Sequence, residues 1–123
     1  MKAIVPSQTP SMDSKLSPVF GRCPYFMLVE IEGGKVVGNT AVPNEAANQQ
    51  GGAGVAAAQA AHDQGATTLI AGTVGPKAFS ALESFGIEVY DSTSGTVQEN
   101  VDAFLQGKLP KANPGSHAGF LKK

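Results

Sequence analysis

The chain has 123 residues, about the length of one ordinary domain, and its 41% hydrophobic and 15% charged residues are typical of a folded protein. Nine basic and ten acidic side chains nearly cancel, which argues against a protein that holds nucleic acid by neutralising phosphates. A single cysteine excludes an intrachain disulfide, and no stretch approaches the ~20 apolar residues that span a bilayer. We therefore expect a soluble cytoplasmic domain with no membrane or nucleic-acid partner.

The first part of the chain is predicted to contain three strands and one long loop. Pro6 ends the first strand, and the Ser- and Pro-rich loop from Ser7 to Pro24 is longer than most connections in compact domains, which is typical of a functional or a disordered segment. Gly33-Gly34 separates two β-prone runs and predicts a tight hairpin turn. The predicted strands are residues 2–5, 25–32 and 35–42.

The second part alternates helices with strands. An alanine-rich run favours a helix that ends at Gly65, and Pro76 suits the first turn of the next helix. Thr96 and Glu99 form a capping-box pattern at the start of a third helix. The helices are expected within residues 51–65, 76–86 and 96–107, and the strands within residues 67–71 and 87–90.

The element order β-β-β-α-β-α-β-α predicts an α/β fold. Alternating strands and helices imply parallel crossovers, whereas the glycine hairpin requires an antiparallel strand. The expected result is a mixed five-stranded sheet with helices on its faces. Residues 1–109 are predicted to form this single domain, and residues 110–123, with lysines among Pro, Gly and Asn, a flexible tail.

Two glycine-rich segments are candidate binding sites because each opens a predicted helix. Backbone N–H groups at a helix start favour an anion, and glycine lets a bulky ligand approach. The alternative is that these glycines only permit close packing or a sharp turn. The second segment also follows a strand at the edge of the sheet where ligands usually bind. The candidates are Gly51, Gly52 and Gly54 in the first segment, and Gly72, Thr73, Val74 and Gly75 in the second.

Side chains add fewer candidates. Arg22 would be the main charged donor to an anion if its loop folds over the same edge, and otherwise is an ordinary surface arginine. Cys23 either ligates a metal or is a buried inert thiol, and His117 either reaches a ligand or belongs to the tail. These residues are too few for an ordinary zinc or four-cysteine iron-sulfur site, and no catalytic triad is apparent. The chain is therefore not expected to be an enzyme.

Four ordered blocks resemble the dinitrogenase iron-molybdenum cofactor biosynthesis family, which includes nitrogenase-cofactor carriers and the molybdenum-copper orange protein. They span most of the chain up to about Leu109. One departure is Val19, where relatives often carry histidine or a charged residue, and another is Cys23, where alanine is common. The blocks are residues 20–26, 51–59, 71–79 and 86–90.

The resemblance implies a ribonuclease H-like topology without nuclease residues and the binding of a preformed metal-sulfur cluster of the iron-molybdenum or molybdenum-copper type. Donor and acceptor proteins for the cluster would be the partners, and the chain would be a monomer or weak dimer. Two other functions remain open from the residues alone. One is binding of a phosphate-bearing small molecule at the same glycines, and the other is a protein-interaction domain without a ligand.

Overall fold

The computed structural model describes residues 1–48 and 50–112, and within them five strands and three helices. A single 3-10 turn, Phe20–Arg22, interrupts the loop between the first two strands. The strands are β1 (Lys2–Ser7), β2 (Tyr25–Glu32), β3 (Lys35–Pro43), β4 (Thr68–Ala71) and β5 (Glu88–Asp91), and the helices are α1 (Ala53–Asp63), α2 (Pro76–Ser84) and α3 (Val97–Leu105).

The five strands form one mixed sheet in the order β3-β2-β1-β4-β5. β1 and β3 each pair antiparallel with β2, while β4 pairs parallel with β1 and with β5. This confirms the predicted mixed sheet, and the strand order is compatible with the expected ribonuclease H-like topology. Because β1, β4 and β5 are parallel, the loops that follow them meet at one edge of the sheet.

The helices cover both faces of the sheet. The small side chains of α1 and the stripe of α2 pack on one face, where Ala57, Ala58 and Leu82 are fully buried. On the other face α3 contributes Val97 and Val101, also fully buried. The alanines allow α1 to lie close to the sheet, as the sequence predicts. The capping box at Thr96 is present with both of its hydrogen bonds.

The strand boundaries differ from the prediction by one or two residues. β1 continues through Pro6 to Ser7. Only Ala3 and Ile4 of β1 pair with β4, so the missing N–H of Pro6 removes no hydrogen bond to that strand. The Gly33-Gly34 turn has φ values of 60° and 75°, in the left-handed region that a tight hairpin requires. Near this turn the register of β2 and β3 shifts between Glu30 and Ile31, where β3 carries an extra residue.

The long loop after β1 is held against the body of the domain. Isolated bridges pair Ser7 with Leu16, Lys15 with Thr96, and Val19 with Thr73. The backbone N–H of Phe20 also donates to the carbonyl of Thr73 at 3.1 Å. These contacts bring the 3-10 turn to the loop between β4 and α2.

Residues 110–112, which the sequence prediction assigned to the tail, pair with β5. The Asp91 N–H donates to the carbonyl of Pro110, the Ala112 N–H donates to that of Val89, and Ala112 is only 8% exposed. β5 is the last strand of the sheet order, and its outer backbone groups take this segment as partner, which local composition does not reveal. Residues 113–123 lie outside the described part of the chain. In the described part, none of the helices has the length and apolar character needed to cross a membrane.

Candidate functional site

A cavity of about 450 Å³ lies where the parallel strands end. Three segments enclose it: the 3-10 turn with the residue before it, the start of α1, and the loop from β4 into α2. Both predicted helix starts therefore border the same cavity. The lining residues are 19–22, 52–55, 73 and 75–78.

Close packing between glycines joins the 3-10 turn to α1. A Cβ atom placed on Gly21 would lie 2.7 Å from the backbone nitrogen of Gly54, and one placed on Gly54 would lie 3.0 Å from the Cβ of Ala78. Gly21 therefore lets the turn approach α1, and Gly54 lets α1 approach α2. For this residue the packing interpretation is supported, whereas Gly52 is required for its φ of 70° at the N-cap of α1.

Neither helix start carries a side-chain cap. At α1 the first intrahelical bond runs from the Ala56 N–H to the carbonyl of Gly52, and at α2 from the Phe79 N–H to that of Gly75, both at 2.9 Å. The preceding N–H groups in each first turn have no intrahelical acceptor by geometry. Pro76 at the first position of α2 has no N–H to satisfy. The two positive helix ends thus border one cavity.

Two basic side chains, Arg22 and Lys77, line the cavity, and both are exposed. No carboxylate is among the lining residues of the described chain. Nη1 of Arg22 donates to the backbone carbonyl of Ala47 at 2.9 Å, which anchors the guanidinium at one corner. A guanidinium carries five donors, so this anchor is compatible with contact to a ligand. The local field favours an anion.

The rest of the wall is largely apolar. Val19 and Val55 are each 42% exposed and are two of the four exposed large hydrophobic residues in the described chain. Pro76 and Ala78 continue the apolar surface towards α2. An anion in this cavity would therefore touch methyl groups as well as N–H donors and positive charge.

Most of the predicted binding residues meet at the cavity, but three do not line it. Gly51 precedes the cavity wall with a φ of 73°. Gly72 faces Ser92 and the carbonyl of Pro18, and the side chain of Val74 is 1% exposed in the core beneath α2. The residues that do line it are Arg22, Gly52, Gly54, Thr73 and Gly75.

Cys23 lies in the core and not in the cavity wall. It is fully buried, its Sγ–H donates to the carbonyl of Phe20 at 3.2 Å, and burial raises the pKa of its thiol to about 12. Since a metal ligand must be the thiolate, this environment opposes ligation. The thiol is buried because the turn directs the side chain inward, and ligation by Cys23 stays a prediction. His117, the other predicted ligand, is outside the described residues.

Sequence reasoning missed the apolar lining residues. In the sequence, Val19 stands out only as a departure from relatives, and Val55 lies within the predicted alanine-rich helix. Lys77 follows Pro76 in a predicted helix, and nothing in the sequence separates it from an ordinary exposed lysine. Its place in the cavity follows from the Gly75-Pro76 helix start, which sets the direction of the first turn of α2.

A second cavity, of about 430 Å³, lies between α1 and the outer part of the sheet. Its wall is formed by apolar side chains such as Phe26 and Leu28, together with the polar residues Asn44, Glu45 and Gln64. No basic side chain is among its described lining residues. The charge distribution thus favours the first cavity for an anion.

The fold and the cavity define a small α/β domain with an anion-receptive site at the carboxyl edge of a mixed sheet. The chain belongs to the dinitrogenase iron-molybdenum cofactor family, whose model matches residues 1–107. Membership relates it to the biosynthesis of that cofactor. In the described residues, no cluster of three or more His, Cys, Asp or Glu side chains is arranged to hold a metal ion.

Similar proteins agree with this assignment. An uncharacterised protein of Methanocaldococcus jannaschii is 38% identical over 102 residues, which are 83% of this chain and 86% of the relative. The apo form of the orange protein from Desulfovibrio gigas superposes with a TM-score of 0.84 at 35% identity, covering 90% of this chain and 92% of that one. A Thermotoga protein described as a candidate NifB protein has a TM-score of 0.75 at 35% identity, covering 89% and 91% of the two chains.

Proposed function

We propose that this chain binds a preformed, anionic metal-sulfur cluster in the cavity at the carboxyl edge of the sheet and carries it between a donor and an acceptor protein in the cytoplasm. The chain catalyses no reaction in this proposal. The observation that carries it is the convergence of Arg22, Lys77 and two uncapped helix starts on one cavity. Membership of the iron-molybdenum cofactor family supports the same ligand class.

The apolar wall favours a sulfide-coated cluster over a phosphate group. Sulfide ligands spread charge over large, polarisable atoms and are less strongly hydrated than phosphate oxygens. Transfer into a cavity bordered by Val19 and Val55 therefore costs such an anion less hydration free energy. The N–H groups and the two cations then supply attraction without a covalent bond.

This mode of binding suits a carrier. The donors around the cavity interact with the sulfide shell, so the metal-sulfur bonds of the cargo stay intact. Release requires only that hydrogen bonds and ion pairs be exchanged for those of an acceptor. Because the cavity opens to solvent beside the exposed Val19 and Val55, a donor or acceptor can reach the cluster directly.

Anaerobic reconstitution tests the proposal. The purified chain is incubated with tetrathiomolybdate and copper(I), or with isolated iron-molybdenum cofactor, and then desalted. We expect retained metal by elemental analysis together with sulfide-to-metal charge-transfer absorbance. Parallel titrations with ATP and inorganic phosphate serve as controls for a phosphate ligand. Failure to retain metal would reject the proposal, and retention of phosphate ligands in its place would favour a phosphate-binding module.

A further inference from the structure

Asn44 is a buried polar residue that contacts the segment bearing Arg22. It follows β3, is 8% exposed, and does not line the cavity in which Arg22 lies. Its Nδ2 group donates to the carbonyl of Gly21 at 3.2 Å and to that of Cys23 at 2.9 Å. These two carbonyls belong to the residues on either side of Arg22. One side-chain amide therefore fixes the backbone before and after the arginine.

The same side chain shapes the loop that holds the guanidinium. Oδ1 of Asn44 accepts a hydrogen bond from the Ala46 N–H at 3.1 Å, and the Asn44 carbonyl accepts one from the Ala47 N–H at 3.2 Å. This turn presents the Ala47 carbonyl to Nη1 of Arg22 at 2.9 Å. Asn44 thus fixes the backbone on both sides of Arg22 directly, and it fixes the guanidinium through the Ala47 carbonyl.

We infer that Asn44 is a positioning residue for the cavity and holds Arg22 where its guanidinium meets the anionic ligand. The inference rests on the proposed function for the identity of that ligand. Buried amides with several hydrogen bonds fix local geometry, since each lost partner leaves a desolvated polar group. A disordered arginine would have to be ordered at the expense of binding free energy, which lowers affinity.

The chain contains a matched control residue. Asn100 is also a buried asparagine, 0% exposed, and its side chain donates to the carbonyls of Thr93 and Thr96 and accepts from the Thr93 N–H. It lies on α3, which covers the opposite face of the sheet from α1 and α2. We expect loss of its amide to lower the stability of the fold about as much as loss of the Asn44 amide. Asn100 does not line the cavity, so cluster binding should not change.

A double-mutant cycle with Arg22 distinguishes positioning from general stability. Affinity for the cluster formed from tetrathiomolybdate and copper(I) is measured for wild type, N44A, R22A and the double variant. We expect N44A to weaken binding about tenfold in the wild-type background and less than about twofold in the R22A background. N100A should change affinity by less than about twofold in either background.

A second variant and a second readout cover the possibility that N44A fails to fold. N44S retains an oxygen for the Ala46 N–H but loses both amide donors. Because Arg22 is the chain's only arginine, its Nε–H gives a single assignable NMR signal. We expect the heteronuclear NOE of that signal to fall in N44S and N44A and to remain unchanged in N100A.

The outcomes separate this inference from the function on which it rests. If wild type binds the cluster but the N44A and R22A effects add, or if the Arg22 signal is as rigid in N44S as in wild type, Asn44 does not position Arg22 and the carrier proposal stands. If wild type does not bind the cluster, both are rejected.

Discussion

Gly21 lies so close to Gly54 that a Cβ atom on Gly21 would be 2.7 Å from the Gly54 nitrogen and 2.8 Å from its Cα. This contact holds the 3-10 turn against the start of α1 and so forms one corner of the cavity. The position of Arg22 follows directly from it, since Arg22 is the next residue after Gly21. The geometry of the site therefore depends on a pair of residues without side chains.

Gly21→Ala should destabilise the protein by ~1–3 kcal/mol, because the methyl group meets backbone atoms that cannot move aside. Gly75→Ala is the matched control, since its φ is −64° and nothing lies within 4 Å of an added Cβ. In Gly75→Ala, the lower conformational entropy of the unfolded chain offsets the weaker N-cap. We therefore expect its free energy of unfolding to change by less than ~1 kcal/mol. Urea denaturation measures both. Equal effects of the two substitutions would contradict the packing argument.

Arg22→Ala should weaken binding of the thiomolybdate-copper cluster by about 10- to 100-fold, because a charge-assisted donor is lost. Arg22→Lys should recover only part of the affinity, since an ammonium lacks the planar fork. Isothermal titration under anaerobic conditions gives the affinities. Unchanged affinity in Arg22→Ala would show that the guanidinium does not contact the ligand.

Lys77→Ala should weaken the same binding by about two- to fivefold, as expected for an exposed charge. The effect should decrease as salt concentration rises, because exposed charges are screened. Lys108→Ala is the control, since Lys108 is exposed beyond α3 and does not line the cavity. If both lysine variants lose affinity equally, Lys77 acts only through net charge.

Val55→Asp should reduce affinity by about tenfold, because a carboxylate enters the cavity wall. The fold should be retained, since residue 55 is in the first turn of α1, where negative charge is favourable. Val37→Asp, at a valine that is 54% exposed on β3, serves as the control. Binding by Val55→Asp at wild-type affinity would place the ligand elsewhere.

Cys23 should affect stability at high pH but not cluster binding. Its folded pKa of about 12 exceeds the ordinary value of 9.0, so the unfolded chain releases its thiol proton first as pH rises. The contribution of Cys23 to stability is complete below about pH 9 and falls by at most ~1.4 kcal/mol per pH unit between the two values.

The difference in unfolding free energy between wild type and Cys23→Ala, measured from pH 8 to about pH 11, isolates this dependence from other titrating groups. A difference that stays constant with pH would contradict the proposed environment of the thiol. Retention of the cluster by Cys23→Ala is also expected, whereas its loss would restore Cys23 as a ligand.

Much of the fold could be predicted because its signals are local. The hairpin glycines, the capping box at Thr96 and the apolar stripes each specify an element without reference to the rest of the chain. The pairing of residues 110–112 with β5 could not be predicted, since an open sheet edge is a property of the assembled sheet.

The site was predictable only in part. Glycines at two helix starts and one arginine are visible in sequence, and their convergence follows from parallel strand topology. The inward direction of Cys23 and the link from Asn44 to Arg22 depend on contacts between distant segments. No periodic pattern encodes such contacts, and they require the folded arrangement.

The most direct test is an NMR titration of the ¹⁵N-labelled chain with the preformed cluster made from tetrathiomolybdate and copper(I). The proposal predicts that the largest amide shifts fall in residues 20–22, 52–55, 73–75, 77 and 78, with small shifts around the second cavity near Phe26 and Gln64. Saturable binding whose shifts leave both helix starts unperturbed would contradict the proposed site.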